Sequence, residues 1–243
     1  CSEQFSVLSA EAEGIPVTYC YLDDADPART LVAATQSLSY YAETFGTYEY
    51  PSYTVVETGF PYGGMEYPML SLIADDLPSQ DIPLVVVHET AHQWWYAMIG
   101  SDQYHEAWQD EGLAEFSAAL FMESYPEYGR TYAELLSESE NAYRAYYSVS
   151  SQLTGGETAM RRALVDFTGD YAYRSLVYDK GFILFDRLRQ TMGETRFFAA
   201  IKEYARAHKG TIASPEMLIS CFASRAPQAE GIFNAFLDGL CVI

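Results

Sequence analysis

One apolar segment, residues 84–99, constrains this chain more than any other feature of its sequence. It reads LVVVHETAHQWWYAMI and contains His88 and His92, two of only four histidines in the chain. Because the segment is apolar nearly all round, it predicts a buried helix that runs on to about Ile99. Residues four apart share one helix face, with their Cβ atoms about 5–6 Å apart. Two imidazoles placed in this way can occupy two corners of a zinc tetrahedron, or they can form a hydrogen-bonded pair inside a core.

A third metal ligand is predicted in residues 108–112, which read W-Q-D-E-G. Catalytic zinc sites can combine two histidines with one glutamate and leave the fourth coordination position for water. Glu111 follows His92 after 18 intervening residues, near the start of a second predicted helix whose body covers 113–122. With Gly100 ending the first helix, a loop of about ten residues is long enough to return Glu111 to the histidines. An acidic residue in a first helical turn is also ordinary complementarity to the helix dipole.

The composition is that of a globular protein. The 243 residues are 49% hydrophobic and 20% charged, which is enough apolar side chain for a sizeable core. No stretch has the composition of a linker, so we predict a single domain over residues 1–243. A formal net charge of −20 repels phosphate backbones, and nucleic acid is therefore not expected as a partner. The chain lacks a run of about 18 apolar residues, so no transmembrane segment is predicted in it.

The predicted secondary structure changes from strands to helices along the chain. Pro27 suits the first turn of a helix, and Gly46 suits its end. Helical patterns dominate from about residue 83 onward. This order predicts an α+β fold that is mainly helical, with a small β-rich N-terminal lobe and a helical C-terminal lobe. Strands or turns are predicted at 1–26, 53–57 and 69–74, a loop at 59–64, and a helix at 28–45.

The four cysteines do not identify a compartment. Cys1, Cys20, Cys221 and Cys241 form no C-x-x-C pair and have no spacing typical of a metal site. One or two disulfides or four free thiols are both compatible with this pattern.

Several motifs in a fixed order resemble one protein family. H-E-x-x-H followed at a distance by W-x-D-E-G is similar to the gluzincin zinc aminopeptidases, the group of aminopeptidase N and leukotriene hydrolase. Residues 63–67 read G-G-M-E-Y and resemble that family's G-A-M-E-N motif, while residues 178–181 read Y-D-K-G and resemble its Y-E-K-G segment. The resemblance covers roughly residues 35–240. It implies a thermolysin-like catalytic domain that binds one zinc ion per chain.

The resemblance also implies roles for individual residues. His88, His92 and Glu111 would bind the zinc. Glu89 would act as the general base that takes a proton from the zinc-bound water. Tyr178 would donate its hydroxyl to the oxyanion that forms at the substrate carbonyl.

Further matching positions would contact a peptide substrate. Glu66 would bind the free α-amino group, the contact that distinguishes an aminopeptidase from an endopeptidase. Gly63 and Gly64 would let the substrate backbone approach closely, although a glycine pair is equally typical of a hairpin turn. Tyr173, five residues before Tyr178, also suits a position lining the site.

The chain departs from the family pattern in two respects. Tyr67 stands where the family has Asn, Gly64 where it has Ala, and Gln109 where it has an apolar residue. None of these positions is an expected zinc ligand or the expected base. The family also has a β-sheet domain before the catalytic domain; we expect that domain to be absent from this fragment of a larger protein and to pack on it in the parent.

We therefore predict a zinc-dependent metallopeptidase that releases N-terminal amino acids from peptides. One alternative is an endopeptidase or another hydrolase on the same scaffold. A second is an inactive zinc-bearing binding module, which would have no need of Glu89 or Tyr178. Localisation is left open, with a lean towards the cell envelope or the outside of the cell.

Overall fold

A five-stranded sheet lies in the N-terminal part of the computed structural model, which describes residues 3–153 and 155–241. The strand order is β1-β2-β3-β5-β4. β3 pairs in parallel with both β2 and β5, whereas β1 and β4 are antiparallel edge strands. The five strands are β1 (Ser6–Ala12), β2 (Ile15–Tyr21), β3 (Tyr53–Thr58), β4 (Gly64–Tyr67) and β5 (Leu70–Ala74).

Two helices accompany the sheet. α1 (Pro27–Phe45) connects the parallel strands β2 and β3, as a parallel pair requires a crossover. The Asp26 side chain accepts a hydrogen bond from the Arg29 N–H at its start, and Gly46, with a φ of 127°, follows its end. α2 (Ile82–Ala91) comes after β5 and packs against α1 and β5. The predicted helix at 28–45 and the predicted strands at 53–57 and 69–74 are confirmed within a residue or so at each end.

The predicted helix over 84–99 is wrong in its C-terminal half. α2 ends at Ala91, and the next residues form turns in which the Ala97 N–H bonds to the His92 carbonyl and the Met98 N–H to that of Gln93. Tyr96 has a φ of 146°, a value that interrupts a helix. Gly100 therefore does not end this helix, which stops nine residues earlier. The apolar character of 92–99 reflects burial in turns rather than in a helix.

The C-terminal part is helical. Phe116 lies at the centre of an aromatic cluster with Tyr132, Phe182, Phe185 and Phe197. A π-helical segment, Ser175–Asp179, joins two of the helices. The helices are α3 (Trp108–Ser124), α4 (Tyr132–Leu153), α5 (Asp170–Arg174), α6 (Lys180–Met192), α7 (Glu194–His208), α8 (Pro215–Ala223) and α9 (Gln228–Leu237), with short 3-10 turns at Pro126–Tyr128 and Leu164–Asp166.

The chain divides into two compact units, Cys1–Met98 and Ile99–Ile243. The mainly helical α+β class is confirmed, while the single domain over 1–243 stays a prediction. None of the described helices is long and apolar enough to cross a membrane. Cys20, Cys221 and Cys241 carry free thiols, and Cys1 lies outside the described residues.

Candidate metal centre

The two predicted histidine ligands lie at the C-terminal end of α2. His88 belongs to its last turn, and His92 immediately follows Ala91. The His92 N–H still bonds to the His88 carbonyl, so the helical step from residue 88 to residue 92 is preserved. Both imidazoles consequently face the same side, with their Nε2 atoms 3.1 Å apart. Two nitrogens bound at about 2.05 Å to a tetrahedral ion would lie about 3.3 Å apart, close to this separation.

The His92 ring is held by a backbone contact. Its Nδ1 lies 3.0 Å from the Trp95 carbonyl oxygen, which can only accept a hydrogen bond. The proton of the neutral ring therefore sits on Nδ1, and Nε2 keeps the lone pair that a metal needs. Contacts of this kind fix the orientation of metal-binding histidines.

Glu111 supplies a carboxylate as the third predicted metal ligand. It lies in the first turn of α3, is 8% exposed, and its N–H donates to the Asp110 side chain at 2.9 Å. One ligand atom each from His88, His92 and Glu111 lies within 4.8 Å of the others, an arrangement that could hold a metal ion. Two imidazoles and one carboxylate are a donor set that suits zinc. The residues predicted as ligands are thus brought together.

Tyr178 donates its hydroxyl to Oε1 of Glu111 over 2.7 Å. Burial, the neighbouring Glu111 carboxylate and Tyr173 together raise the pKa of this hydroxyl well above its ordinary value. The hydroxyl therefore stays protonated and remains a donor at neutral pH. The Tyr173 ring meets the Tyr178 ring edge-on, with centroids 5.6 Å apart.

The π-helical segment and two glycines position Tyr178. Tyr178 lies within this segment, which directly follows α5, the helix that carries Tyr173. On the other side, α3 and α6 approach closely because Gly112 and Gly181 face one another. A Cβ atom on Gly181 would lie 2.8 Å from the Gly112 Cα. The glycines of both motifs thus have a packing role that brings Tyr178 to Glu111.

The predicted substrate contacts lie on or beside the edge strand β4. Gly64 and Glu66 belong to this strand, and Gly63 precedes it with a φ of 29°. Glu66 is only 6% exposed and is paired in register with Ser71 of β5. Glu89, on α2, is likewise buried.

Sequence reasoning missed Gln93. Its Oε1 accepts the Met69 N–H at 2.8 Å and the Tyr48 hydroxyl at 3.3 Å, while its Nε2 donates to the Tyr67 carbonyl at 3.1 Å. The side chain therefore fastens the turn between β4 and β5 to the segment that carries His92. No signal in the sequence distinguished this glutamine from others, because its partners are distant in the chain.

Lys180 was noted only as part of a motif, and its environment was also missed. Its buried ammonium donates to the carbonyls of Thr158 at 2.6 Å and Phe236 at 3.1 Å. It also lies over the rings of Tyr143 and Phe236. Burial lowers its pKa to about 8. Lys180 thereby ties the start of α6 to α9.

Comparison with known proteins supports the family that the motifs indicated. Leukotriene A-4 hydrolase from Xenopus laevis is 28% identical over 189 residues, which cover 74% of this chain and 30% of that protein. Leucine aminopeptidase 2 from Aspergillus terreus is 26% identical over 167 residues, covering 64% of this chain and 25% of that protein. The chain thus spans less than a third of these relatives.

Solved structures show the same fold. An M1 zinc metallopeptidase from Deinococcus radiodurans superposes with a TM-score of 0.71 at 18% identity, covering 98% of this chain and 53% of that one. A variant of that enzyme bound to a Tyr-Ser-Ala substrate gives a TM-score of 0.72 at 17% identity, with the same coverage. The model of the peptidase family M1 domain matches residues 29–236. Since that match covers most of the chain, the chain belongs to peptidase family M1.

Proposed function

We propose that this chain is the catalytic part of a zinc-dependent aminopeptidase that removes N-terminal residues from peptides. The observation that carries the proposal is the group of His88, His92 and Glu111 within a domain of peptidase family M1. The similarity to a leukotriene hydrolase and to leucine aminopeptidases supports the same reaction class. Zinc in a site of this type lowers the pKa of a bound water to about 7 and polarises a carbonyl group.

Glu89 is the proposed general base. It lies next to His88 in α2 and is 5% exposed, in an environment with little competing water. Its carboxylate would take the proton of the attacking water and later deliver a proton to the leaving amine. A positioned acid–base group of this kind contributes about 10²–10⁴-fold to a rate.

Tyr178 is the proposed donor to the oxyanion. Its raised pKa keeps the hydroxyl protonated, and its bond to Glu111 fixes the hydroxyl beside a proposed ligand. Tyr173 would hold the Tyr178 ring in place through their edge-on contact. We expect Tyr178→Phe to lower kcat about 10²–10³-fold, the cost typical of one lost oxyanion donor.

Glu66 is the proposed acceptor of the substrate's α-ammonium group. Its place on β4, a strand with one open edge, supports a contact with an extended peptide. A Cβ atom at Gly63 would meet nothing within 4 Å, so a substrate backbone can approach the chain there, and Gly64 is the proposed backbone contact next to it. A requirement for a free amine would follow from the Glu66 carboxylate.

Peptides are thus the proposed substrates. The relatives are longer than this chain, and we propose that an N-terminal β domain of the parent protein packs on the part described here. A location at the cell envelope or outside the cell remains a prediction.

The deciding experiment combines metal analysis with a matched pair of substrate panels. The chain is purified without chelator and its bound metal is measured. Aminoacyl-p-nitroanilides are then assayed beside their N-acetylated forms, with Glu89→Gln as the control variant. We expect one zinc per chain, cleavage of the free-amine compounds alone, and no cleavage by Glu89→Gln.

The other outcomes separate the alternatives. Cleavage of blocked peptides at internal bonds would identify an endopeptidase and leave Glu66 without the proposed role. Bound zinc without cleavage of any compound would contradict peptidase activity in this chain and favour a binding module. A folded chain that binds no zinc would overturn the ligand assignment.

A further inference from the structure

A row of aromatic contacts leads from Phe167 to Tyr178. The Phe167 ring meets the Tyr173 ring edge-on, with centroids 5.3 Å apart and planes at 79°. The Tyr173 ring meets the Tyr178 ring in the same way, at 5.6 Å and 78°. Such pairs have a preferred geometry, because the positive edge of one ring faces the negative face of the other. Tyr173 therefore lies between two rings that restrict its orientation.

Phe167 is itself anchored through its ring and its backbone. The Arg162 guanidinium lies over the ring, 5.3 Å from its centroid, and forms an ion pair with Glu157 at 3.0 Å. The Phe167 N–H bonds to the Leu164 carbonyl at 3.4 Å, and the Leu164 N–H bonds to the Tyr104 carbonyl at 2.9 Å. The ring of Phe167 can consequently serve as a fixed support for the ring of Tyr173.

We propose that Phe167 is a positioning residue that holds the Tyr173 ring and, through it, the Tyr178 hydroxyl. This inference rests on the proposed role of Tyr178 as the donor to the oxyanion. Without a ring at position 167, Tyr173 has space to tilt, and Tyr178 loses part of its support. A donor must lie about 2.7–3.1 Å from the oxyanion, so a small tilt of the Tyr178 ring weakens this bond.

The first test is a kinetic cycle that combines Phe167→Ala with Tyr178→Phe. A displacement of about 1 Å in a reacting group can cost on the order of 10²-fold in rate, and a loosened ring moves by less. We therefore expect Phe167→Ala to lower kcat about 10-fold, with KM and zinc content near the wild-type values. In the Tyr178→Phe background there is no hydroxyl left to position, and Phe167→Ala should cause no further loss.

Two more variants separate positioning from general damage to this part of the chain. Phe167→Tyr keeps an aromatic ring and should retain most of the wild-type kcat. Val165 is exposed and lies in the 3-10 turn just before Phe167, so Val165→Ala should match the wild type. A wild-type kcat in Phe167→Ala would overturn the proposal. An equal loss of kcat with and without the Tyr178 hydroxyl would overturn it as well.

The second test depends on neither activity nor zinc. The thermal midpoint is measured in chelator for the wild type, Phe167→Ala, Tyr173→Ala and the double variant. Because the contact between the two rings is lost once either ring is removed, the double variant should lose less than the sum of the two single losses. Losses that simply add would show that the rings do not support one another and would contradict the inference.

The two tests together keep the inference separate from the proposed function. If the wild type proves inactive, or if Tyr178→Phe keeps the wild-type kcat, the proposed role of Tyr178 fails. The thermal cycle then still decides whether Phe167 supports Tyr173.

Discussion

Gln93 connects two parts of the proposed site through one side-chain amide. The turn that it holds contains Met69, whose φ of 63° is unusual for a residue with a side chain. The bond from the Met69 N–H to Gln93 helps to maintain this conformation. The amide therefore stabilises the end of the strand on which Glu66 lies.

Replacement of Gln93 by leucine should destabilise the protein. Gln93→Leu would leave the part-buried Met69 N–H and Tyr67 carbonyl without this partner, at a cost of up to about 1–3 kcal/mol for each group. We expect the free energy of unfolding in urea to fall by roughly 2–4 kcal/mol. The exposed Gln152 provides the control, since Gln152→Leu should change stability by less than about 0.5 kcal/mol. Equal effects in the two variants would contradict this view of Gln93.

At single positions, the sequence predicted which residues could bind a metal, but it did not predict the hydrogen bonds that hold the surrounding segments in place. The spacing of His88, His92 and Glu111 indicated a metal group because those residue types are rare in apolar surroundings. Gln93 and Lys180 could not be assigned, because their hydrogen-bond partners lie 22 to 56 residues away along the chain. Such partners depend on how whole elements pack, which local pattern does not contain.

At the level of elements, the end of α2 shows where local pattern fails. Pro27 lies in the first turn of α1 and Gly46 follows its last residue, so the limits of this helix could be predicted from the sequence. The segment after Ala91 contains neither Pro nor Gly before Gly100, and its apolar residues suggested a continuing helix. The contact of His92 with the Trp95 carbonyl and the φ of Tyr96 instead turn the chain. Tertiary contacts of this segment, such as the hydrogen bond from the Trp94 indole to the Gly46 carbonyl, override helix propensity here.

The crossing of α3 and α6 leads to a second prediction. Gly181→Ala would force a methyl group against the Gly112 backbone, and overpacking of this kind typically costs about 1–3 kcal/mol. We expect a loss of unfolding free energy in this range, together with a lower kcat because Tyr178 moves away from Glu111. Urea denaturation and steady-state kinetics measure the two effects.

The matched control for that crossing lies in α9. A Cβ atom on Gly231 would meet nothing within 4 Å. Gly231→Ala should therefore stabilise the chain by about 0.4–1 kcal/mol, as helical glycine-to-alanine changes do at open positions. If Gly181→Ala were equally harmless, the close approach of α3 and α6 would not be required.

Asp179, the last residue of the π-helical segment, should make the stability of the protein depend on pH. Burial, followed by the charge of Glu115, raises the pKa of Asp179 from 3.8 to about 7. Between these values the unfolded chain has released a proton that the folded chain retains, so stability falls as pH rises from about 4 to 7. We expect Asp179→Asn to be more stable than the wild type at pH 8, by on the order of 1 kcal/mol, and to lose this advantage near pH 4.

Thermal unfolding followed by circular dichroism between pH 4 and pH 8 measures this dependence. Asp76 is an exposed carboxylate, and Asp76→Asn serves as the comparison. Its effect should remain within about 0.5 kcal/mol across the range. A constant difference between Asp179→Asn and the wild type would argue against a raised pKa for Asp179.

On the scale of the whole molecule, the formal net charge of −20 creates a field that attracts cations. Under the proposed function every substrate carries a positive amine, and a lysine at the N-terminus adds a second charge. We expect kcat/KM for lysyl-p-nitroanilide, relative to leucyl-p-nitroanilide, to fall as sodium chloride is raised, because salt screens this attraction. A ratio that does not change with ionic strength would show that the field has no part in substrate choice.

The α+β fold class could be predicted from the sequence because it depends on local patterns. Strand and helix patterns are local, and their order along the chain predicted a sheet followed by helices. The order of strands within the sheet was not predicted, since the antiparallel β4 lies at the edge, beyond β5, although it comes first in the chain. Pairing between distant segments again required the folded structure.

The buried amine of Lys180 can be used to measure how often the helices around it open. The chain has three lysines, and Lys202 and Lys209 are exposed whereas Lys180 is fully covered. An acylating reagent would modify the two exposed amines at once, but Lys180 only when the helices around it open. The rate of the slow modification at Lys180, located by mass spectrometry, would therefore record how often the interior of this unit becomes accessible to solvent under native conditions.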